Sequence, residues 1–502
     1  MNRIPPARIS PLFIVIAMLL ALCPMGCRKA PSFTPSLSVL RVTSTIRLPD
    51  ARRPWLKKPP FTRIGLGTLI GNGRILVTAD MVAHAADIAL ERPEDGPKGT
   101  ATVEALDEEC NLAVLKPSDP SLLEGMRPLK LAPTAHAGET LSILQLEANG
   151  ASALSPATVT TVSVLPYPSD GASCLAYRVS TTIPQREGSF VIPALLKGKL
   201  AGLVMRYDPR TQSADLIPSP LIARFLEESP KPDYRGLARL GLTWDQVRGN
   251  SLRKWIGAEK FPGGVYVTST DPDGPAEKGG ILAGDLLVTV DGKSLDGEGN
   301  VSDPELGKVN FSNLASLGHV PGDQMVLGYF RSSGEESGAF GSATVTLTGR
   351  NSSAEIIPLR IEGDRIPYRF LGGLLFQELS RPYLKEWGSN WRSEAPQNLV
   401  ALDAFQTDPP RKRRRVVILS EILPSPQTIG QQDLANRVVE SVNGRAIHSL
   451  DDLAEAVRNP SGGFHRIDLD GSAGPIFLET EGLEELQNQL MKQYGIPSEH
   501  TP

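Results

Sequence analysis

At 502 residues the chain exceeds what a single hydrophobic core organises and implies about three domains. Its composition, 40% hydrophobic and 22% charged with 47 glycines and 43 prolines, excludes wholesale disorder and tilts toward strands and loops. A formal net charge of -4 supplies no general attraction to nucleic acid or to an anionic membrane surface. The basic run Arg411 to Arg415 is a local exception. Lying between Asp408-Pro-Pro and the apolar segment Val416-Val-Ile-Leu419, it reads as a solvated loop guarding a strand.

The N-terminus carries Arg3 and Arg8, an apolar stretch from Leu12 to Leu22, and the pair Gly26-Cys27. This is the layout of a signal peptide over residues 1–27, and the stretch is too short to cross roughly 30 Å of hydrocarbon. Cys27 after a small residue resembles a bacterial lipoprotein cleavage site. That resemblance implies lipidation at Cys27 and a membrane anchor in the cell envelope, facing the periplasm; ordinary secretion is the other fate. Residues 28–37 read as a Pro/Ser-rich tether. Cys110 and Cys174 are the cysteines of the mature body, where free buried thiols are favoured over a disulfide. No Cys/His spacing suggests a metal, and no cofactor is implied.

Through residues 38–230, short apolar runs such as Gly67-Thr-Leu-Ile70, Arg74-Ile-Leu-Val77, Asn111-Leu-Ala-Val-Leu115 and Lys199-Leu-Ala-Gly-Leu-Val204 alternate with turns. Their spacing predicts a β-barrel or sandwich. A helix is predicted over Leu221-Ile-Ala-Arg-Phe-Leu226, with Ser219 as its cap and Pro220 in its first turn.

Three segments in this region occur in a telling order: Gly65 to Asp80-Met-Val, Glu109-Cys-Asn111-Leu-Ala-Val-Leu-Lys116, and Glu187-Gly-Ser-Phe-Val-Ile-Pro193, the last followed by Ile217-Pro-Ser-Pro-Leu221. Together they resemble the Deg/HtrA family of trypsin-like proteins with PDZ modules. The resemblance implies a trypsin-like double β-barrel. It puts Asp80 at the family's catalytic histidine, Asn111 at its aspartate, and either Ser189 or Phe190 at its nucleophile, depending on register. A serine hydroxyl attacks only when an imidazole takes its proton and returns it to the leaving amine. A carboxylate, with an ordinary pKa of about 3.9, serves both steps poorly. In subtilisin, losing the base alone costs on the order of 10^6-fold. Val191 and Ile192 stand where the oxyanion loop has glycines. His84, one helical turn beyond Asp80 by spacing, leaves open a rearranged Asp-His pair, whereas His136, His319, His448, His465 and His500 fall in no constellation.

Beyond the charged linker Glu227 to Asp233, the series from Gly263 to Asp285-Leu-Leu-Val-Thr-Val-Asp-Gly292 resembles a PDZ signature and defines a module over residues 235–350. Gly284-Asp285 predicts a tight turn, Leu286 to Val290 a buried strand and Asp291-Gly292 a hairpin turn. PDZ modules bind an extended peptide along a sheet edge. By resemblance, Arg239, Leu240, Gly241 and Leu242 form the carboxylate-binding loop, opposite a helix around Phe311 to Leu317.

Tyr368 to Phe376, Val416 to Leu423, Ser449-Leu-Asp-Asp-Leu453 and Tyr494-Gly-Ile-Pro-Ser498 resemble the second PDZ of plant-type Deg proteins, giving a module over 367–502 with a C-terminal helical tail. Ser449 is predicted to cap a helix through Val457. The Gly-Asp turn is missing, and an insertion with Trp387 and Trp391 divides the strands, so packing or oligomer contact is favoured over peptide capture. The expected whole is mainly β with short helices: a trypsin-like double β-barrel followed by two PDZ-like α+β domains. Its implied partners are protein C-termini or unfolded segments, in a homo-oligomer or a mixed oligomer with an active homologue. An active serine endopeptidase with a rearranged site and a regulatory subunit are the alternatives.

Overall fold

A computed structural model describes residues 34–501, apart from 94–95, 148, 169–171, 185–190, 335–336, 353–354, 362, 364, 405–414 and 472–473. The leader with Cys27, the nucleophile candidates Ser189 and Phe190, and Arg411 to Arg414 lie outside the described residues.

Strands β1 (Val39–Ile46), β2 (Phe61–Ile70), β3 (Arg74–Val77), β4 (Ala85–Glu91), β5 (Lys98–Asp107) and β6 (Leu112–Pro117) close into one barrel in the order β1-β2-β3-β6-β5-β4. A second barrel repeats that order with β7 (Thr140–Leu146), β8 (Ser152–Pro166), β9 (Ser173–Thr181), β10 (Ile192–Leu196), β11 (Lys199–Asp208) and β12 (Ser213–Pro218). Every neighbour pair is antiparallel, and closure leaves neither barrel a free sheet edge. This is the expected double barrel. One apolar cluster runs across the seam, joining Val42, Leu76 and Leu115 of the first barrel to Leu144, Leu203 and Ile217 of the second. Cys110 and Cys174 lie in it as free thiols, and burial pushes both well above the ordinary thiol range.

Ser219–Glu228 forms the predicted helix, burying Leu221, Ile222 and Phe225. Ser219 is its first residue rather than its cap, because the hydroxyl turns away to donate to the Pro133 carbonyl at 3.4 Å.

The third unit is an antiparallel sheet in which β13 (Leu242–Gln246), β14 (Val265–Thr270) and β15 (Leu286–Val290) precede strands Gln324–Gly334 and Ser337–Thr346. Asp291 and Gly292 have φ of 47° and 73°, the two left-handed residues a tight hairpin needs, and Val290 pairs with Lys293 across them. Asp285 is buried; it accepts two hydrogen bonds of 2.6 Å from Arg331 and one of 2.8 Å from the Leu282 amide. Leu175 of β9 belongs to this unit's core, which joins the unit to the second barrel.

The fourth unit is built on a seven-stranded sheet between Tyr368 and Glu479, with the helical insertion packed around buried Trp391. Ser449 caps the helix Leu450–Ala456 as predicted, its hydroxyl accepting from the Asp452 amide at 3.1 Å. The tail helix Leu483–Tyr494 ends at Gly495, whose φ of 64° turns the chain out of the helix.

At Gly202 an added Cβ would lie 2.5 Å from the Ile217 carbonyl oxygen, a backbone atom of the paired strand β12. Gly202→Ala is expected to lower stability by about 1–3 kcal/mol through overpacking. Urea unfolding of the parent and variant reads the difference, and equal midpoints would contradict this account of the seam.

Candidate functional site

Strands β3 and β6 are neighbours, with Val77 opposite Ala113, so the residues just outside their adjoining ends must meet. Asp80 follows β3 in the short helix Ala79–Val82, and Asn111 immediately precedes β6. The Asp80 backbone N–H donates to Asn111 Oδ1 at 2.9 Å. Asn111 is only 2% exposed and left-handed, with φ of 53°. A turn starting at Asp107 holds it there: the Asp107 carboxylate accepts from the amides of Glu109 (2.7 Å) and Cys110 (3.3 Å) and from the Tyr234 hydroxyl. Asn111 Nδ2 and Asp80 Oδ1 are buried without hydrogen-bond partners.

Arg63 donates to the Asp80 carbonyl. Burial holds its guanidinium below its ordinary value, against the pull of the Asp80 carboxylate. His84 is not on the helix with Asp80, contrary to the spacing. The helix stops at Val82, and His84 is left-handed at φ 58° with its carbonyl bonded to the Arg47 amide at 3.0 Å. Both residues nevertheless line one cavity of about 440 Å³. At the edge of the undescribed segment, Val191 is buried with φ of 52° and accepts from the Leu66 amide. A β-branched residue in that region costs on the order of 1–3 kcal/mol.

The cavity is walled by barrel loops, among them those joining β1 to β2, β3 to β4 and β5 to β6, and is roofed by segments distant in the chain. Leu359 to Ile361, between the third and fourth units, and Pro382, Lys385 and Glu386 of the insertion complete its lining. Contacts from the β1–β2 loop hold the roof down: Lys58 pairs with Glu386 at 2.7 Å, Arg52 lies 4.5 Å over the Trp387 ring, and Trp55 packs on Tyr368 at 5.7 Å. The density of cationic and aromatic residues over Arg52-Arg-Pro-Trp-Leu-Lys-Lys58 was the signal available.

In the third unit, the predicted loop is assembled beside an open edge. Gly241 has φ of 66°, and a Cβ there would meet Pro275 Cδ at 2.8 Å. Leu240 is buried with Phe311 and Ala315, which lie at and within the helix Ser312–Gly318. Strand β13 is terminal in its sheet, pairing with β14, and Thr243, Asp245 and Gln246 are exposed. Arg239 departs from the expected arrangement. Its Nη2 donates to Glu109 of the first barrel at 2.5 Å, so its guanidinium braces the domain junction. The fourth unit differs at the corresponding edge: Leu374–Glu378 pairs with Val417–Ile422 on one side and with Tyr368–Leu371 on the other. Beyond that strand lie the chain's last described residues, with the Phe370 amide donating to the Glu499 carbonyl at 2.7 Å and the Thr501 amide to Tyr368 at 3.2 Å.

The remaining histidines are dispersed, with His319 bonded to Asp291 at 2.9 Å and His465 buried beside Asn443. Among the described residues no cluster of three or more His, Cys, Asp or Glu is arranged to hold a metal.

The family described as PDZ domain matches residues 266–303 and again residues 357–502. The chain is 26% identical over 474 residues to protease Do-like 2, chloroplastic, of Arabidopsis thaliana, covering 92% of this chain and 74% of that protein. It is 24% identical over 466 residues to the plant's putative protease Do-like 3, mitochondrial, covering 92% of this chain and 79% of that one. Among solved structures, the HtrA-type protease AlgW with decapeptide aligns with 64% of this chain and 97% of its own, at 16% identity and a TM-score of 0.47.

Burial pushes the Glu109 carboxyl above its ordinary value despite the opposing pull of Arg239. The folded chain therefore holds that proton more tightly than the unfolded chain does. The contribution to stability is fully present below the unfolded value of about 4.3 and is lost as pH rises through the folded one. Glu109→Gln should accordingly gain stability relative to the parent between about pH 4 and pH 7. Melting midpoints of the two proteins across that range test this, and a constant or opposite difference would refute it.

Proposed function

We propose that this chain, a member of the Deg/HtrA family with a trypsin-like double barrel followed by PDZ domains, acts by binding protein termini or partner subunits rather than by cutting peptide bonds. The observation that carries the reading is the contact between Asp80 and Asn111. At the position that requires an imidazole stands a carboxylate, and the side chain that would orient the imidazole accepts from the Asp80 backbone instead. Val191, in the place of an oxyanion-loop glycine, adds to it: the left-handed backbone persists, but a buried isopropyl group occupies the approach. On this reading Asp80, Asn111 and Ser189 or Phe190 are the positions of a degenerate triad. The work passes to the first PDZ module, where the Leu240 to Leu242 loop and the open edge of β13 can take an extended C-terminal peptide.

The leader places this activity in the cell envelope, with Cys27 lipidated and the body facing the periplasm in protein quality control. The assembly is a homo-oligomer or a mixed one with an active homologue. One observation favours a second reading, an endopeptidase with a rearranged site: His84 and Asp80 line the same cavity.

Purified residues 28–502 are expected to leave casein intact and to resist a fluorophosphonate probe, which labels an activated serine. Labelling that disappears in Ser189→Ala would establish the endopeptidase instead. In a screen of C-terminal peptides, Gly241→Val should weaken binding at least tenfold, because any side chain there deforms the loop. Undiminished binding would remove the loop from the reading.

A further inference from the structure

The terminal strands of the two PDZ sheets are treated differently. In the second module the Phe370 amide on one outer strand donates to the Glu499 carbonyl. Gln427 closes the other, accepting from the Glu479 amide at 2.8 Å and donating to the Glu479 carbonyl at 3.3 Å. In the first module β13 is the peptide edge and carries the exposed charge of Asp245. The strand at the other end of that sheet, Ser337–Thr346, pairs with Gln324–Gly334 and ends the sheet. Its sequence, Ser337-Gly-Ala-Phe-Gly-Ser-Ala-Thr-Val-Thr346, holds neither a charge nor a proline, the usual devices that keep sheet edges apart.

Only the second half of this strand is covered. An added Cβ at Gly279 would lie 2.7 Å from Val345 Cγ2, and the Arg239 amide donates to the Thr348 carbonyl at 2.8 Å, so the sheet curls shut at that end. From Gly338 to Ser342, among the described residues, no backbone hydrogen bond reaches the side away from Gln324–Gly334. Gly338, Ala339, Phe340 and Ser342 are exposed, Phe340 to 57%. The Tyr329 ring fills the place of a side chain at Gly341, where a Cβ would stand 2.6 Å from it, and the Phe340 ring stacks on Phe261 at 6.4 Å. What results is a narrow, neutral edge bearing one large apolar side chain.

A strand added here must pair with the outward N–H and C=O groups, tolerate a neutral edge and cover Phe340. The same strand from a second copy meets each demand. Run antiparallel about a two-fold axis at Phe340, it sets Ala339 opposite the partner's Gly341 and Gly338 opposite the partner's Ser342. No bulky or like-charged pair arises, and the two Phe340 rings meet as a cross-strand aromatic pair. We propose that Gly338 to Ser342 is a homotypic docking edge through which two copies of this chain join their first PDZ sheets. The inference rests on the homo-oligomer of the proposed function and names its surface. In the joined sheet the β13 strands lie at the two far ends, so both peptide edges stay open and one particle presents two grooves.

An edge this short buries less than the roughly 1,600 Å² of a standard interface, so association is read by sedimentation of residues 28–502 up to roughly 200 µM chain. At the upper concentration the particle mass should fall by half in Phe340→Lys, which sets like charges face to face at an exposed position. Mixing Phe340→Lys with Phe340→Glu should restore it. Mild oxidation reads the register: Phe340→Cys should form an intermolecular disulfide, whereas Ser342→Cys, about 13 Å from its counterpart, should not. Cys110 and Cys174 are buried and do not compete. Equal cross-linking of the two variants, a Phe340→Lys mass equal to the parent's, or a charge-swapped mixture that fails to reassemble would overturn the proposal and leave a homo-oligomer built on another surface standing. A parent that is monomeric at every concentration would remove both the edge and the homo-oligomer, so the two failures are distinguishable.

Discussion

Five consecutive residues, Asp107 to Asn111, tie the parts of this molecule together. Asp107 receives the hydroxyl of Tyr234 in the segment leaving the barrels, and Glu108 meets Arg360 in the segment between the PDZ modules. Glu109 holds Arg239 at the start of the Arg239 to Leu242 loop, Cys110 is sealed in the seam between the barrels, and Asn111 accepts from the Asp80 amide. Such a turn can be rigid because the Asp107 carboxylate accepts from the turn's own backbone amides at Glu109 and Cys110, while the later side chains reach different partners. Burial first, and the neighbouring Asp107 carboxylate second, push both the Glu109 carboxyl and the Cys110 thiol upward.

The two PDZ modules resolve the problem of an open sheet edge in opposite ways. In the first, β13 is left as the terminal strand beside a glycine whose conformation other residues enter only under strain. In the second, the equivalent edge is spent on Tyr368–Leu371 and then on Glu499 to Thr501, so that backbone groups which could meet a ligand already meet the same chain. Packing is what the second module's sequence suggested, and its insertion extends that role by contributing to the roof over the barrel cleft.

Features set by neighbouring residues were legible in the sequence. Asp291-Gly292 needs only two left-handed residues between strands, Ser449 only a free amide three positions on, and the apolar runs of both barrels only their alternation with turns. Side-chain destinations across long separations were not. Arg239 looked like a ligand contact until its partner 130 positions earlier was in place. Ser219 looked like a cap until the Pro133 carbonyl drew its hydroxyl away, and the spacing of His84 from Asp80 assumed a helix that ends two residues short of it. At the candidate site the sequence supplied the positions, and the adjacency of β3 and β6 supplied the contact between them.

The buried thiols carry a practical consequence for spectroscopy. Cys110 and Cys174 are shut inside the seam and held protonated by their surroundings, so maleimide and similar labels would find little thiolate there at neutral pH. A single cysteine introduced on the roof, with a second dye carried on the barrel loop, would therefore report distances between the two without first stripping the native sulfurs from the core.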